Sequence, residues 1–68
     1  MELKINNQHK QFESNKLSVQ ALLDIEFPNK QNGIAFAINN TVIPKTEWAK
    51  HYPKTTDDIL IITATQGG

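Results

Sequence analysis

Leu17-Ser18-Val19-Gln20-Ala21-Leu22-Leu23-Asp24-Ile25-Glu26-Phe27-Pro28, residues 17–28, decides the fold, because it holds the helix around which everything else is arranged. Ser18 is a good N-cap, since its hydroxyl can accept a hydrogen bond from an orphan amide of the first helical turn. Val19, Leu22, Leu23 and Phe27 follow at helical spacing and make one apolar stripe. Pro28 ends the element by disfavouring helical geometry in the residue before it. The spacing predicts one helix from Ser18 to about Glu26.

Outward from the helix, both flanks read as strands. Met1 to Ile5 alternates, with Met1, Leu3 and Ile5 on one side and Glu2 and Lys4 on the other, the period of a strand with one buried face. Asn6-Asn7-Gln8 is a turn signal, because asparagine tolerates positive φ and bonds its own backbone. A second short strand is expected through Gln11, Phe12 and Glu13, with Phe12 inward. Beyond a polar loop from Asn29 to Gly33, residues Ile34 to Ile38 form a strand with Ile34, Phe36 and Ile38 on one face and Ala35 and Ala37 on the other. Asn39-Asn40 is a tight turn into Thr41, Val42 and Ile43. Pro44 interrupts the pairing, so Lys45 to Tyr52 is expected to cross as irregular chain with a short strand or helical turn, anchored by Trp48. Asp57-Asp58 marks a turn, and Ile59 to Thr65 is a strand rich in β-formers. With so little chain, one helix must cover the buried face of the sheet. Placed between two pairs of strands, it leaves the first and last strands to pair in the centre. The expected architecture is α+β, a β-grasp (ubiquitin-like) fold in which a mixed sheet of four to five strands packs on one helix. Residues 1–65 form this domain, and 66–68 are expected to be a flexible tail.

Composition narrows the chemistry. At 68 residues, a chain buries only about 60% of the surface its unfolded form exposes, which leaves little volume for an enclosed active site. There is no cysteine, so disulfides and thiolate metal sites are excluded. His9 and His51 stand far apart with no neighbouring ligand pattern, and no metal site is expected. Seven basic and seven acidic residues cancel, against the basic excess of a nucleic-acid binder. No long apolar run or basic amphipathic helix points to a membrane. A cytoplasmic protein made without a presequence is expected.

Two of the three glycines are the last two residues, Gly67 and Gly68. At an average usage near 7%, that placement by chance has odds of about one in two hundred. Without a Cβ, these residues impose the least bulk and accept nearly any φ, so a strand running into Gln66-Gly67-Gly68 suits insertion into a narrow site of another protein. The α-carboxyl has a reference pKa of roughly 3.3–3.7. At neutral pH it is a carboxylate, a poor electrophile that must be activated, most simply as an acyl-adenylate made from ATP. Attack by a sulfur nucleophile would then leave a thiocarboxylate on Gly68, a way for a protein without cysteine to carry sulfur. His51 and the pair Asp57-Asp58 are read as crossing loop and turn, since acid–base catalysis needs a sheltered site. No Gly-rich phosphate loop precedes a helix, so ATP is expected to bind a partner and no cofactor is expected on this chain.

Over nearly its whole length the chain resembles the ThiS family of sulfur carriers in thiamin biosynthesis. The resemblance rests on the N-terminal strand with its asparagine turn, on Leu17-Ser18-Val19 with Leu22-Leu23, and on Ala35-Phe36-Ala37-Ile38-Asn39. It rests above all on Val42-Ile43-Pro44-Lys45-Thr46-Glu47-Trp48 and on Ile59 to Gly68. The spacing of Pro44, Lys45 and Trp48 is the most specific part, because Gly-Gly ends many ubiquitin-like proteins. Two departures stand out: Thr56 occupies a place where the family usually has Gly, and Lys45 replaces a more usual Arg, keeping the charge but losing the planar fork. The resemblance implies a cycle in which a ThiF-type adenylyltransferase consumes ATP to adenylate Gly68. A cysteine desulfurase or another donor then supplies sulfur, and thiazole synthase (ThiG) accepts it.

Alternation also marks a docking strip. If Ile59 and Ile61 face the helix, then Leu60, Ile62 and Ala64 face outward beside Ala35 and Ala37, and an exposed apolar strip marks a partner site. Three other readings share parts of this pattern. The small subunit of molybdopterin synthase uses the same tail chemistry, a ubiquitin-like modifier would join Gly68 to lysines, and a plain interaction module would not need Gly68 at all.

Overall fold

The computed structural model describes residues 1–28 and 33–64. Within them the elements run β1 (Glu2–Ile5), β2 (Gln8–Gln11), α1 (Val19–Glu26), β3 (Ile34–Ile38), β4 (Thr41–Val42), a 3₁₀ turn (Lys45–Glu47) and β5 (Asp58–Thr63). The strands form one five-stranded sheet in the order β2-β1-β5-β3-β4. β1 pairs with β5 in parallel, and every other pairing is antiparallel. The first and last strands meet in the middle, as expected for a β-grasp.

Each hairpin turns on two asparagines. Asn6 and Asn7 have φ of 51° and 66°, and Asn39 and Asn40 have φ of 50° and 69°. Positive φ at both central residues is the type I′ geometry that matches the twist of the flanking strands. Such a turn sets register at once, pairing Ile5 with Gln8 and Ile38 with Thr41. For this reason β2 starts at Gln8 and ends at Gln11, earlier than the expected strand through Gln11, Phe12 and Glu13. Phe12 lies one residue past the strand, its N–H donating to the Met1 carbonyl at 2.8 Å. It is half-buried against the core, so its inward direction holds although its strand assignment does not.

The helix starts after Ser18, whose Oγ accepts from the Ala21 N–H at 3.0 Å. Two further amides of the first turn are met by the crossing segment: Val19 N–H donates to the His51 carbonyl at 2.8 Å and Gln20 N–H to the Trp48 carbonyl at 3.0 Å. This ties the helix start to a part of the chain about thirty residues away and satisfies donors that helix ends leave open. Phe27 closes the last turn onto the Leu23 carbonyl, and Pro28 follows. Val19, Leu22 and Leu23 are buried against Leu3, Ile5, Phe36, Ile38, Ile59 and Ile61 of the sheet. One face of the sheet is therefore core.

After β4, Ile43 is buried and still donates to the Phe36 carbonyl, at 2.8 Å. Trp48 is only 2% exposed, and its Nε1–H donates to the Ile43 carbonyl at 2.9 Å. The crossing is thus fixed by its aromatic anchor, with a single 3₁₀ turn as its regular element. The turn ahead of β5 falls at Thr55–Thr56, two residues before the expected Asp57-Asp58. Asp57 closes it, accepting from the Lys54 N–H at 2.8 Å, and Asp58 already belongs to β5 opposite Lys4. The described non-glycine residues with positive φ are the four asparagines alone, so the turn at Thr56 has no need of glycine. The expected strand from Ile59 to Thr65 is observed from Asp58 to Thr63; Thr65, and with it the expected 65/66 domain boundary, lies outside the described residues.

Candidate functional site

The face of the sheet away from the helix carries the expected strip. Leu60 is 48% exposed and Ile62 54%. Register places Ala37 opposite Leu60 and Ala35 opposite Ile62, so four of the five predicted docking residues form one patch on two adjacent strands. Ala64, the fifth, is exposed at the end of β5. Val42 was not among the expected residues, yet it sits opposite Ala37 and is 67% exposed, extending the patch to the sheet edge. The signal for it was present: a two-residue turn at Asn39-Asn40 obliges residue 42 to face residue 37. A shallow concavity over Ala37, Val42, Leu60 and Ile62 is rimmed by polar groups of both asparagine turns and by Asp58.

The strand that leads to the chain end is gripped on both edges. On the β1 side, Asn6 N–H donates to the Ile59 carbonyl at 2.9 Å. The Asn6 carboxamide then bridges Ile61, with Oδ1 accepting from Ile61 N–H at 2.8 Å and Nδ2 donating to the Ile61 carbonyl at 3.1 Å. On the β3 side, Ala64 N–H donates to the Gly33 carbonyl at 2.7 Å. Gly33 has φ of +76°, and a Cβ there would meet the Ala64 Cβ at 3.3 Å. The residues expected to carry the chemistry, Gly68 with Gly67 and Gln66, lie outside the described residues.

The titratable groups weighed for catalysis do not converge. Asp57 Oδ1 accepts from Asn39 Nδ2 at 3.0 Å while its other oxygen holds the Lys54 amide. Asp58 points instead to the outer sheet face, and its N–H donates to Asn39 Oδ1 at 2.9 Å. His51 is half-buried, and its backbone carbonyl serves the helix. Among the described residues, no three His, Cys, Asp or Glu side chains come together in a way that could hold a metal ion. No described helix is long and apolar enough to cross a membrane.

The model of the ThiS family matches residues 2–68. The chain belongs to the ThiS family. It is 32% identical over 68 residues to the sulfur carrier protein ThiS of Escherichia coli (strain K12), covering all of both chains. Its fold is that of the crystal structure of a thiamine biosynthesis protein (ThiS) from Geobacter metallireducens, at a TM-score of 0.83 over the full length of both chains and 19% identity. In this ThiS-family chain the exposed Leu60 and Ile62 and the rung at Ala64 follow one another along a single stretch of chain.

Proposed function

We propose that this chain is a sulfur carrier of thiamin biosynthesis that bears the atom as a thiocarboxylate on Gly68. The observation that carries the reading is the family match running through residue 68, which includes Gln66-Gly67-Gly68. A ThiF-type adenylyltransferase binds ATP and joins AMP to the Gly68 carboxylate, releasing pyrophosphate. A sulfur nucleophile fed by a cysteine desulfurase or another donor displaces AMP. Where that nucleophile is a persulfide, a thiol then cleaves the resulting acyl disulfide, leaving the thiocarboxylate and a new disulfide. Thiazole synthase (ThiG) takes the sulfur. The chain is a substrate in this cycle and not a catalyst. Residues 66–68 act as a tail that enters the partner's site, while Leu60, Ile62, Ala64, Ala35 and Ala37 dock on the partner. The setting is cytoplasmic.

The geometry supports this division of labour: the described domain offers an exposed apolar patch and a fixed strand end, Asp57 is occupied in a turn and Asp58 lies on the outer sheet face. In this reading the activation energy comes from ATP held by the partner. Intact-mass spectrometry after incubation with activating enzyme, ATP and a sulfur donor tests the reading. The expected product replaces one oxygen by one sulfur at Gly68, and deletion of Gly68 abolishes it. Isopeptide-linked conjugates in place of that product would make the chain a protein modifier instead.

A further inference from the structure

β5 loses its β1 neighbour before it ends. The parallel pairing stops at Ile5 and Ile59, and the chain then turns away through Asn6-Asn7. The N–H and carbonyl of Ile61 on that edge have no strand to meet. The Asn6 carboxamide takes the place of one, accepting from the Ile61 N–H and donating to its carbonyl at 2.8 and 3.1 Å. A side-chain amide presents the same donor and acceptor as a peptide group, so this contact is one added rung of the sheet. On the opposite edge, pairing with β3 formally ends at Ile34 and Thr63, and the Gly33 carbonyl adds one more rung at Ala64, 2.7 Å from its nitrogen. A side chain at position 33 is strained, given its φ of +76° and the 3.3 Å approach a Cβ would make to Ala64.

We infer that Asn6 and Gly33 are positioning residues for the reaction at Gly68, clamping the two edges of β5 so that the paired chain extends to Ala64. This rests on the carrier reading above. Its consequence is metric. Four residues separate the Ala64 rung from the end of the sequence, and four residues reach at most roughly 13–14 Å. An activating enzyme seated on Leu60 and Ile62 must bring its nucleotide within that distance of Ala64, or else open the Gly33 rung.

Steady-state adenylation by the activating enzyme, with kcat and KM measured separately, tests the inference on four proteins: the natural chain, a chain lacking Thr65, Gly33→Ala, and the combination. Removing Thr65 shortens the reach by about 3.5 Å. It is expected to lower kcat about five- to tenfold, the scale of opening one backbone hydrogen bond, with KM nearly unchanged because the docking face is intact. In the Gly33→Ala background Ala64 is already released, so the same deletion is expected to cost less than about twofold. Asn6→Asp, which keeps the shape but turns an acceptor toward the Ile61 carbonyl, opens the other edge while leaving the Gly33 bond to Ala64 in place. Should Gly33→Ala fold poorly, this variant is read by hydrogen exchange, with the Ala64 amide expected to exchange faster than in the natural chain. Hydrogen exchange supplies a readout independent of turnover: the Ala64 amide is protected in the natural chain and exchanges faster in Gly33→Ala.

Equal losses from the deletion in the natural and Gly33→Ala backgrounds would overturn the positioning role, as would an unprotected Ala64 amide in the natural chain. A natural chain that is never adenylated, despite a protected Ala64, sinks the carrier reading and the positioning role together. Additive losses in a chain that is adenylated sink the positioning role alone.

Discussion

Single asparagines do much of the shaping. At positions 6, 7, 39 and 40 they hold positive φ, which costs most L-residues roughly 1–2 kcal/mol. Asn6 adds to β5 a paired donor and acceptor that no other residue type of that size provides, and Asn39 accepts from the Asp58 N–H. Asn40→Gly is expected to stay within about 0.5 kcal/mol of the natural chain in urea unfolding, because glycine accepts the conformation. Asn40→Val is expected to lose about 2 kcal/mol, since a β-branched residue is a steric outlier there. Trp48 works in a different way, by filling the core and capping the Ile43 carbonyl. Trp48→Phe leaves that buried acceptor without its donor, and a loss of about 1–3 kcal/mol is expected by the same measurement. The turn-forming role of the asparagines was legible because it is local. Their bonds to β5 were not, since nothing near Asn6 in sequence names Ile61 as its partner.

At the scale of elements, legibility followed burial. The helix, β3 and the inward residues of β1 and β5 were readable because apolar residues recur there at the period of the element. β2, whose residues are Gln8, His9, Lys10 and Gln11, carries no apolar signal. It is an edge strand placed by the I′ turn rather than by its own side chains, which is why its expected start was late by three residues and its end by two. The helix itself depends on its cap. Ser18→Ala removes the acceptor for the Ala21 amide and is expected to cost about 1 kcal/mol in urea unfolding, with the loss of helical circular dichroism tracking unfolding of the whole domain. The crossing segment contributes as well, through the His51 and Trp48 carbonyls that receive the first helical amides. A helical turn was one of the expected outcomes there, and its position at Lys45–Glu47 is set by Pro44 before it and Trp48 after it.

For the whole molecule, the sheet has one apolar face in the core and an exposed apolar patch on the other. Phe36 is fully buried on one of them, and Phe36→Ala is expected to cost about 3–5 kcal/mol, enough to unfold much of so small a domain. Leu60, on the other face, is half exposed. Leu60→Asp is expected to leave the unfolding midpoint in urea nearly unchanged while lowering adenylation about tenfold, mostly through KM. Unfolding of that variant would place Leu60 in the core instead. The pair of measurements separates packing from docking on strands that lie side by side.

Periodicity and turn residues were enough to set the order of elements and the inward faces of β1, β3 and β5, while the chemistry expected at Gly68 came from the resemblance to the ThiS family. Those properties depend on near neighbours in the chain or on the intrinsic chemistry of one group. Ile62, Ala35 and Ala37 were already expected beside Leu60; that Val42 extends this patch was not, and how β5 is held on both edges came only from tertiary structure. Val42 joins the patch through register with Ala37, and Asn6 reaches Ile61 across 55 positions of sequence. A hydrogen-bonding group is satisfied by any complementary partner that the fold brings within reach, so its own sequence neighbourhood holds no record of which one that is.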